Sequence, residues 1–188
     1  MDYLHLDKKK VEVVAKNLNE LLASYHLHYQ KLRNFHWNLR SQDFFTLHER
    51  FEEFYNDASV KIDDIAERIL TLRVQPISQL SEYLKISQIK ECSEDLDYMK
   101  MTSEILSDFS ILIKLMRQVV KSADEAEDEG TIDMLGGIIG GLEKNCWMLS
   151  SYLEKNQPKV FDLSEATTTD REPKRATAEK KAKAKAKA

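Results

Sequence analysis

Apolar residues recur at steps of three and four along most of the chain before Pro158, and this periodicity restricts it to amphipathic helices. The first stripe begins near Lys8 and consists of Val11, Val14, Leu18, Leu21, Leu22, Tyr25, Tyr29 and Leu32. Further stripes predict long helices at about 43–72, 94–121 and 127–154, and a short helix at about 78–84. Four long helices with one extended connection predict an all-α four-helix bundle, with the short extra helix in the crossover between helices two and three.

The chain of 188 residues suits one domain with its own core, which we expect to span 1–161. It contains no apolar run typical of a signal peptide or a membrane span, so we expect a cytoplasmic protein with no membrane partner. The two cysteines, Cys92 and Cys146, lack a metal-binding spacing and fit reduced thiols in that compartment.

Four glycines lie in the predicted fourth helix: Gly136, Gly137, Gly140 and Gly141. Each costs a helix interior about 1 kcal/mol relative to Ala, so a compensating role is expected. Small residues at a spacing of four let another helix approach closely, either within the subunit or between subunits.

The segment 162–188 differs from the rest, because apolar residues nearly vanish and Lys alternates with Ala at its end. Its basic residues are Lys174, Arg175, Lys180, Lys181, Lys183, Lys185 and Lys187. They give positions 174–188 a net charge of +6 and leave −10 on positions 1–173. We therefore expect a disordered tail that binds double-stranded DNA through its phosphates, independently of sequence, at the nucleoid. A solubility tail or an expression artefact is the alternative interpretation.

Two histidines and three carboxylates flank a polar break at 39–43: His36, His48, Glu52, Asp63 and Glu67. If helices one and two run antiparallel, the two imidazoles lie at similar heights on neighbouring helices. Glu52 follows His48 by one turn, and Asp63 and Glu67 form a second i, i+4 pair on the same stripe.

About 22 Å separates His48 from Asp63 along a helix that rises ~1.5 Å per residue, so one metal centre cannot contain both. A two-fold axis near Asp57 and Ala58 would lay two copies of helix two antiparallel, with the histidines of each facing the acids of the other. The spacing therefore predicts an intersubunit site, and mixed imidazole and carboxylate ligands favour Fe(II). The alternative is that the histidines are packing residues and the acids are a solvated helix face.

The string FHWN, a second histidine twelve positions after the first, and acids at +4, +15 and +19 from that second histidine resemble the Dps family of mini-ferritins. The resemblance covers roughly Tyr3 to Phe161 and implies a ferritin-like bundle. It also implies a ferroxidase centre between two-fold-related subunits, formed by His36, His48 and Glu52 of one subunit and Asp63 and Glu67 of the other. The family usually carries Asp where this chain carries Glu52, which is one methylene longer.

The resemblance further implies that the protein oxidises Fe(II) with hydrogen peroxide or dioxygen and stores Fe(III) in a hollow shell of twelve subunits. In the family, acids in the connection before the last helix line three-fold pores that admit iron. The matching candidates are Asp124, Asp128 or Glu129, and Asp133. A solvated helix start, where acids complement the helix dipole, is the alternative interpretation of these residues.

Three classes of function follow from these features. The first is an iron-oxidising and iron-storing mini-ferritin that binds and protects DNA. The second is an architectural DNA-binding protein whose metal site is vestigial or structural. The third is an ordinary ferritin with its centre inside one subunit, which requires Glu-x-x-His pairs. No histidine of this chain has Glu three positions before it, and the third class is excluded.

Overall fold

The computed structural model describes residues 4–93 and 95–154, and within these the chain forms five helices and no strand. The helices are α1 (Lys8–Asn38), α2 (Phe44–Thr71), α3 (Leu80–Ile86), α4 (Tyr98–Glu125) and α5 (Glu129–Leu153). α1 packs against α2 and α4, α4 packs against α5, and the short α3 lies against α1. The predicted all-α four-helix bundle with a short helix in the crossover is confirmed. The predicted tail, 162–188, lies outside the described residues.

Aspartate side chains set where three of the helices begin. Asp97 accepts a hydrogen bond from the backbone N–H of Lys100 at 2.9 Å, and α4 therefore begins four positions later than its periodicity predicts. Asp7 caps α1 in the same way by accepting from two backbone N–H groups. Asp128 caps α5 through the N–H of Thr131, at 3.1 Å. A polar residue just before an apolar stripe therefore predicts these helix starts better than the stripe itself.

A buried ionic cluster joins α1 to α4. Asp108 accepts from Lys31 Nζ at 2.8 Å and from His28 Nδ1 at 3.0 Å, and all three side chains are almost fully buried. Buried charges of this kind are tolerated only when paired, so the cluster fixes the register of the two helices. Because His36 lies five residues after Lys31 on α1, the same cluster orients the helix that carries the first predicted ligand.

The four glycines of α5 do not pack closely within the subunit. A Cβ atom added at Gly136, Gly137, Gly140 or Gly141 would meet no other atom within 4 Å in the part of the chain that the structure describes. Close packing within the subunit is therefore wrong as an explanation for them. Close packing between subunits stays a prediction.

Candidate metal centre

The turn at 39–43 folds α2 back along α1 and brings His36 and His48 into contact. Their rings stack with centroids 3.7 Å apart and planes 18° from parallel. His36 is buried near the end of α1, whereas His48 is half-buried in the second turn of α2. The two imidazoles lie at the same height, as the antiparallel arrangement predicted.

Each imidazole bonds to the backbone of the other histidine. His36 Nδ1 lies 2.9 Å from the carbonyl oxygen of His48, and His48 Nδ1 lies 3.0 Å from the carbonyl oxygen of His36. Because a carbonyl oxygen can only accept, both Nδ1 atoms carry a hydrogen and donate it. Each neutral ring then keeps its lone pair on Nε2, which is the tautomer that binds a metal ion.

The reciprocal bonds also complete the end of α1. The carbonyl of His36 is one of the last four of the helix, and these have no partner within the helix. The Nδ1–H of His48 supplies that partner. This one hydrogen bond satisfies a carbonyl in the last turn of α1 and also orients the His48 ring. The position of His48 therefore depends on the fold of the hairpin.

Glu52 completes a cluster of three potential ligands with the two histidines. One ligand atom from each of His36, His48 and Glu52 can be chosen so that all lie within 4.8 Å of one another, and the described residues contain no other such cluster. A metal ion bound at about 2.0–2.2 Å holds neighbouring donors about 3–4 Å apart, so small side-chain movements suffice to close the site. Glu52 is exposed, whereas His36 is buried and His48 is half-buried.

Asp63 and Glu67 do not reach this cluster within one subunit. Both are exposed on α2, which runs without interruption from Phe44 to Thr71. A continuous helix keeps Asp63 about 22 Å from His48 along its axis. The five predicted ligands therefore form two separate groups on one chain, and their meeting across a two-fold axis stays a prediction.

Aromatic side chains surround the histidine pair. Phe44 stacks on His48 with centroids 4.8 Å apart, and the edge of Tyr55 meets the His36 ring at 5.3 Å. The guanidinium of Arg33 lies over the Trp37 ring, 4.7 Å from its centroid. Phe44 is 36% exposed, whereas Tyr55 is partly buried and packs against the core as well as against His36. An aromatic residue in a stripe gives no sign of which role it takes.

Comparison with known proteins identifies the family. A family model described as a ferritin-like domain matches residues 15–157. The DNA protection during starvation protein of Brevibacillus brevis is 44% identical over 143 residues, which cover 76% of this chain and 96% of the relative. The protein of that name from Porphyromonas gingivalis is 41% identical over 150 residues, which cover 80% of this chain and 94% of the relative.

A solved structure agrees with these relatives. The crystal structure of the Dps protein from Vibrio cholerae O1 is described as that of a member of a broad superfamily of ferritin-like diiron-carboxylate proteins. It is 40% identical to this chain and matches 82% of this chain and 97% of its own, with a TM-score of 0.79. The chain belongs to the Dps family.

The acids expected to line the pores of a Dps assembly fall into two groups. Asp124, Glu129 and Asp133 are exposed at the junction of α4 and α5. Asp128 is buried, caps α5 and pairs with the Arg68 guanidinium. Of the alternatives Asp128 and Glu129, only Glu129 therefore presents a carboxylate at the surface of the subunit.

Two further features bear on the partners expected of a Dps protein. No helix among the described residues is both long and apolar enough to cross a membrane. The basic residues expected to bind DNA, which lie within 174–188, are outside the part of the chain that the structure describes.

Proposed function

We propose that this Dps-family protein oxidises Fe(II) and stores the Fe(III) product inside a hollow homo-oligomer of twelve subunits. The observation that supports this most directly is the cluster of three possible ligand atoms, one each from His36, His48 and Glu52, within 4.8 Å of one another. Two imidazoles and one carboxylate with open positions are a donor set typical of non-haem Fe(II). Fixing both Nδ1 hydrogens in advance orients the rings before the substrate iron arrives.

The centre is complete only when Asp63 and Glu67 of a second subunit face this cluster. One carboxylate leaves a bound Fe(II) with a net positive charge, whereas further carboxylates neutralise it and favour the more highly charged Fe(III) product. Because both acids are exposed on α2, they are available to a second copy. Two-fold pairing of α2 would form two such centres for each pair of subunits.

The redox chemistry is balanced by hydrogen peroxide. Each Fe(II) ion gives up one electron, and one peroxide takes two electrons and two protons and becomes two water molecules. One peroxide therefore oxidises two Fe(II) ions, whereas dioxygen would oxidise four. In this proposal the protein holds the Fe(II) ions near one another, and the oxidant reaches them from solvent at the exposed Glu52.

Iron is proposed to enter through pores lined by Asp124, Glu129 and Asp133. Carboxylates gathered around an opening attract cations and raise their local concentration. The exposure of the three acids at the junction of α4 and α5 supports this proposal, because exposed carboxylates are available to line an opening between subunits.

DNA binding is assigned to the tail. A body with a net charge of −10 repels phosphates, whereas positions 174–188 carry +6. The tail would bind DNA without reading its sequence and would place the protein at the nucleoid in the cytoplasm. The same charge supports the alternative function, an architectural DNA-binding protein whose metal site is structural or vestigial.

Rapid mixing tests the iron chemistry. Purified protein is loaded with Fe(II) without oxygen and then mixed with half an equivalent of peroxide, while the ferric absorbance is followed. We expect fast oxidation by the parent and loss of the fast phase in His36→Ala combined with His48→Ala. His26→Ala is the matched control, because His26 stacks on Tyr83 and lies outside the cluster. Equal rates in all three proteins would refute the centre and leave the architectural function.

A salt titration tests the tail. Protein that ends at Pro173 should lose DNA binding at moderate salt while its iron oxidation is unchanged. Full-length protein with the seven basic tail residues replaced by Gln is the length-matched control, and it should behave as the truncated form does. Undiminished binding by either variant would assign DNA binding to the body instead.

A further inference from the structure

A network of three side chains joins α2 to the first turn of α5. The Arg68 guanidinium donates from Nη2 to Asp128 Oδ1 and from Nε to Thr131 Oγ1, the second bond at 2.9 Å. Thr131 donates twice to Asp128, from its hydroxyl at 2.6 Å and from its backbone N–H at 3.1 Å. The Asp128 side chain is fully buried, and that of Arg68 is 17% exposed. Because each member bonds to the other two, the network holds the first turn of α5 in one position relative to α2.

Gly130 lets the guanidinium lie directly against the backbone of α5. A Cβ atom at this position would lie 3.0 Å from Nη2, 3.1 Å from Nη1 and 3.2 Å from Cζ of Arg68. These distances are shorter than ordinary van der Waals contact, and all three are to the guanidinium. At the other four glycines of α5, an added Cβ would meet no atom within 4 Å among the described residues. A side chain at position 130 would therefore displace the group that bonds to Asp128 and Thr131.

Two of the proposed pore acids belong to the same turn or follow directly from it. Glu129 lies between Asp128 and Gly130 in the sequence, and Arg68 lies against both of these neighbours. Asp133 follows Glu129 by four positions on α5 and shares its helix face. Both carboxylates are exposed. The backbone positions of the two acids therefore depend on the position of the Arg68 guanidinium.

Two features of the connection between α4 and α5 work against this arrangement. Glu127 has a φ of 57°, in the left-handed region that residues other than glycine rarely adopt. The exposed acids Asp124, Glu125 and Glu129 lie within six positions of one another, so their like charges repel. Arg68, which is 60 residues from Asp128 in sequence, opposes both effects from a different helix. Because its charge is paired with the buried Asp128, it does so without neutralising the exposed carboxylates.

We propose that Arg68 is a positioning residue of the iron-entry pore, which fixes the first turn of α5 so that Glu129 and Asp133 face one opening. Carboxylates attract a cation most strongly where their fields add, so the acids must keep a common direction. Arg68 itself does not contact iron. This inference rests on the proposed function, because it needs pores through which Fe(II) enters the oligomer.

The order of mixing separates iron entry from iron oxidation. In the first order, the intact oligomer is loaded with Fe(II) without oxygen and then mixed with peroxide, so iron has entered before the measurement begins. In the second order, the oligomer already contains peroxide and receives Fe(II) last, at a low concentration where entry limits the rate. The protein-free reaction is subtracted from both. The rate in the second order divided by the rate in the first is the entry ratio.

Two variants disturb the network in different ways. Arg68→Gln removes the guanidinium, whereas Gly130→Ala keeps every charge and pushes the guanidinium away from α5. Because electrostatic steering changes entry rates by 10-fold or more, we expect each variant to lower the entry ratio by about 10-fold. Arg117→Gln is the matched control, because Arg117 pairs with Glu143 at the surface and its loss should leave the ratio within about 2-fold of the parent.

A double-mutant cycle shows whether Arg68 acts through the acids. Glu129→Gln combined with Asp133→Asn removes the two carboxylates and should itself lower the entry ratio. In that background Arg68→Gln should have no further effect on the ratio. An equal loss in both backgrounds would overturn the proposal, because Arg68 would then act on entry by another route. Equal slowing in both orders of mixing would also overturn it, since the effect would lie in the metal centre or the fold.

The same measurements show which proposal fails. If the variant without the two carboxylates keeps the entry ratio of the parent, the pore and the inference fall together. If that variant lowers the ratio and both Arg68→Gln and Gly130→Ala do not, the pore stands and only the positioning role is refuted. Sedimentation shows whether Arg68→Gln assembles, since it leaves the buried Asp128 without its cation. If it does not assemble, Gly130→Ala alone decides the outcome.

Discussion

Chains that lack the histidines should restore the activity of chains that lack the distal acids when the two assemble together. The first variant carries His36→Ala and His48→Ala, and the second variant carries Asp63→Ala and Glu67→Ala. Under the proposed two-fold pairing each variant alone contains no complete centre, because every centre would draw the histidines from one subunit and the acids from its neighbour. A mixed pair contains one centre with all ligands and one with none of these four.

The magnitude follows from the two-fold geometry. Random assembly of equal amounts makes about half of the pairs mixed, and each mixed pair has one intact centre of two, so about a quarter of all centres should be active. The assay is peroxide-driven Fe(II) oxidation after the variants have been unfolded and refolded together. The expected fast-phase amplitude of the mixture is about a quarter of the wild-type value, whereas each variant alone should show no fast phase.

The matched control replaces the acid variant by a chain in which all four residues are Ala. Its mixed pairs contain no intact centre, so no fast phase should appear although assembly proceeds equally. Differently tagged subunits show by mass that mixed oligomers have formed. If mixed oligomers of the two complementary variants form and the fast phase stays absent, the ligands are not shared between subunits and the two-fold reasoning is wrong.

Three further expectations concern stability and pH. Asp128→Ala removes the cap of α5 and leaves the Arg68 guanidinium without its carboxylate partner, so it should lower the free energy of unfolding by about 3 kcal/mol, as measured by urea titration. Burial, followed by the hydrogen bond to Asp43, raises the pKa of Tyr152 to about 12 from 10.0. Folding stability, measured by urea titration, should therefore fall as pH rises from about 10 to about 12, and the fall should be smaller in Tyr152→Phe. Gly140→Ala should stabilise an isolated subunit by about 1 kcal/mol, whereas a weakened oligomer in sedimentation would support close packing between subunits.

Helical periodicity was sufficient to predict the bundle, and hairpin geometry was sufficient to bring His36 to His48. Both depend only on local spacing, which a sequence displays directly. The tautomer of the two rings could not be predicted, because it depends on which backbone carbonyls each ring meets after α1 and α2 have packed. The contact of Tyr55 with His36 could not be predicted for a related reason, because a tyrosine in an apolar stripe looks the same whether it only fills the core or also faces a candidate ligand.

Asp128 shows that the sequence of an acidic segment does not reveal which of its acids is buried. In the segment 122–133 it is one of several acids, and nothing in its spacing separates it from Glu129. The structure separates them through Arg68, which donates to Asp128 and, at 2.9 Å, to Thr131 Oγ1. That guanidinium lies 60 residues away in sequence from its aspartate, so only the folded chain could assign one acid to structure and leave the others for the surface.

Under the proposed two-fold pairing, the same contact would make α2 a rigid spacer between the histidines of one centre and the acids that the same chain contributes to the other centre. At one end, His48 is tied to the end of α1 through the reciprocal bonds. At the other, Arg68, adjacent to Glu67, is tied to the start of α5. A helix fixed at both ends and free of breaks keeps the separation of His48 from Asp63 near 22 Å. Under two-fold pairing that fixed length brings both centres into register at once, so an insertion in α2 between the halves would disrupt both together.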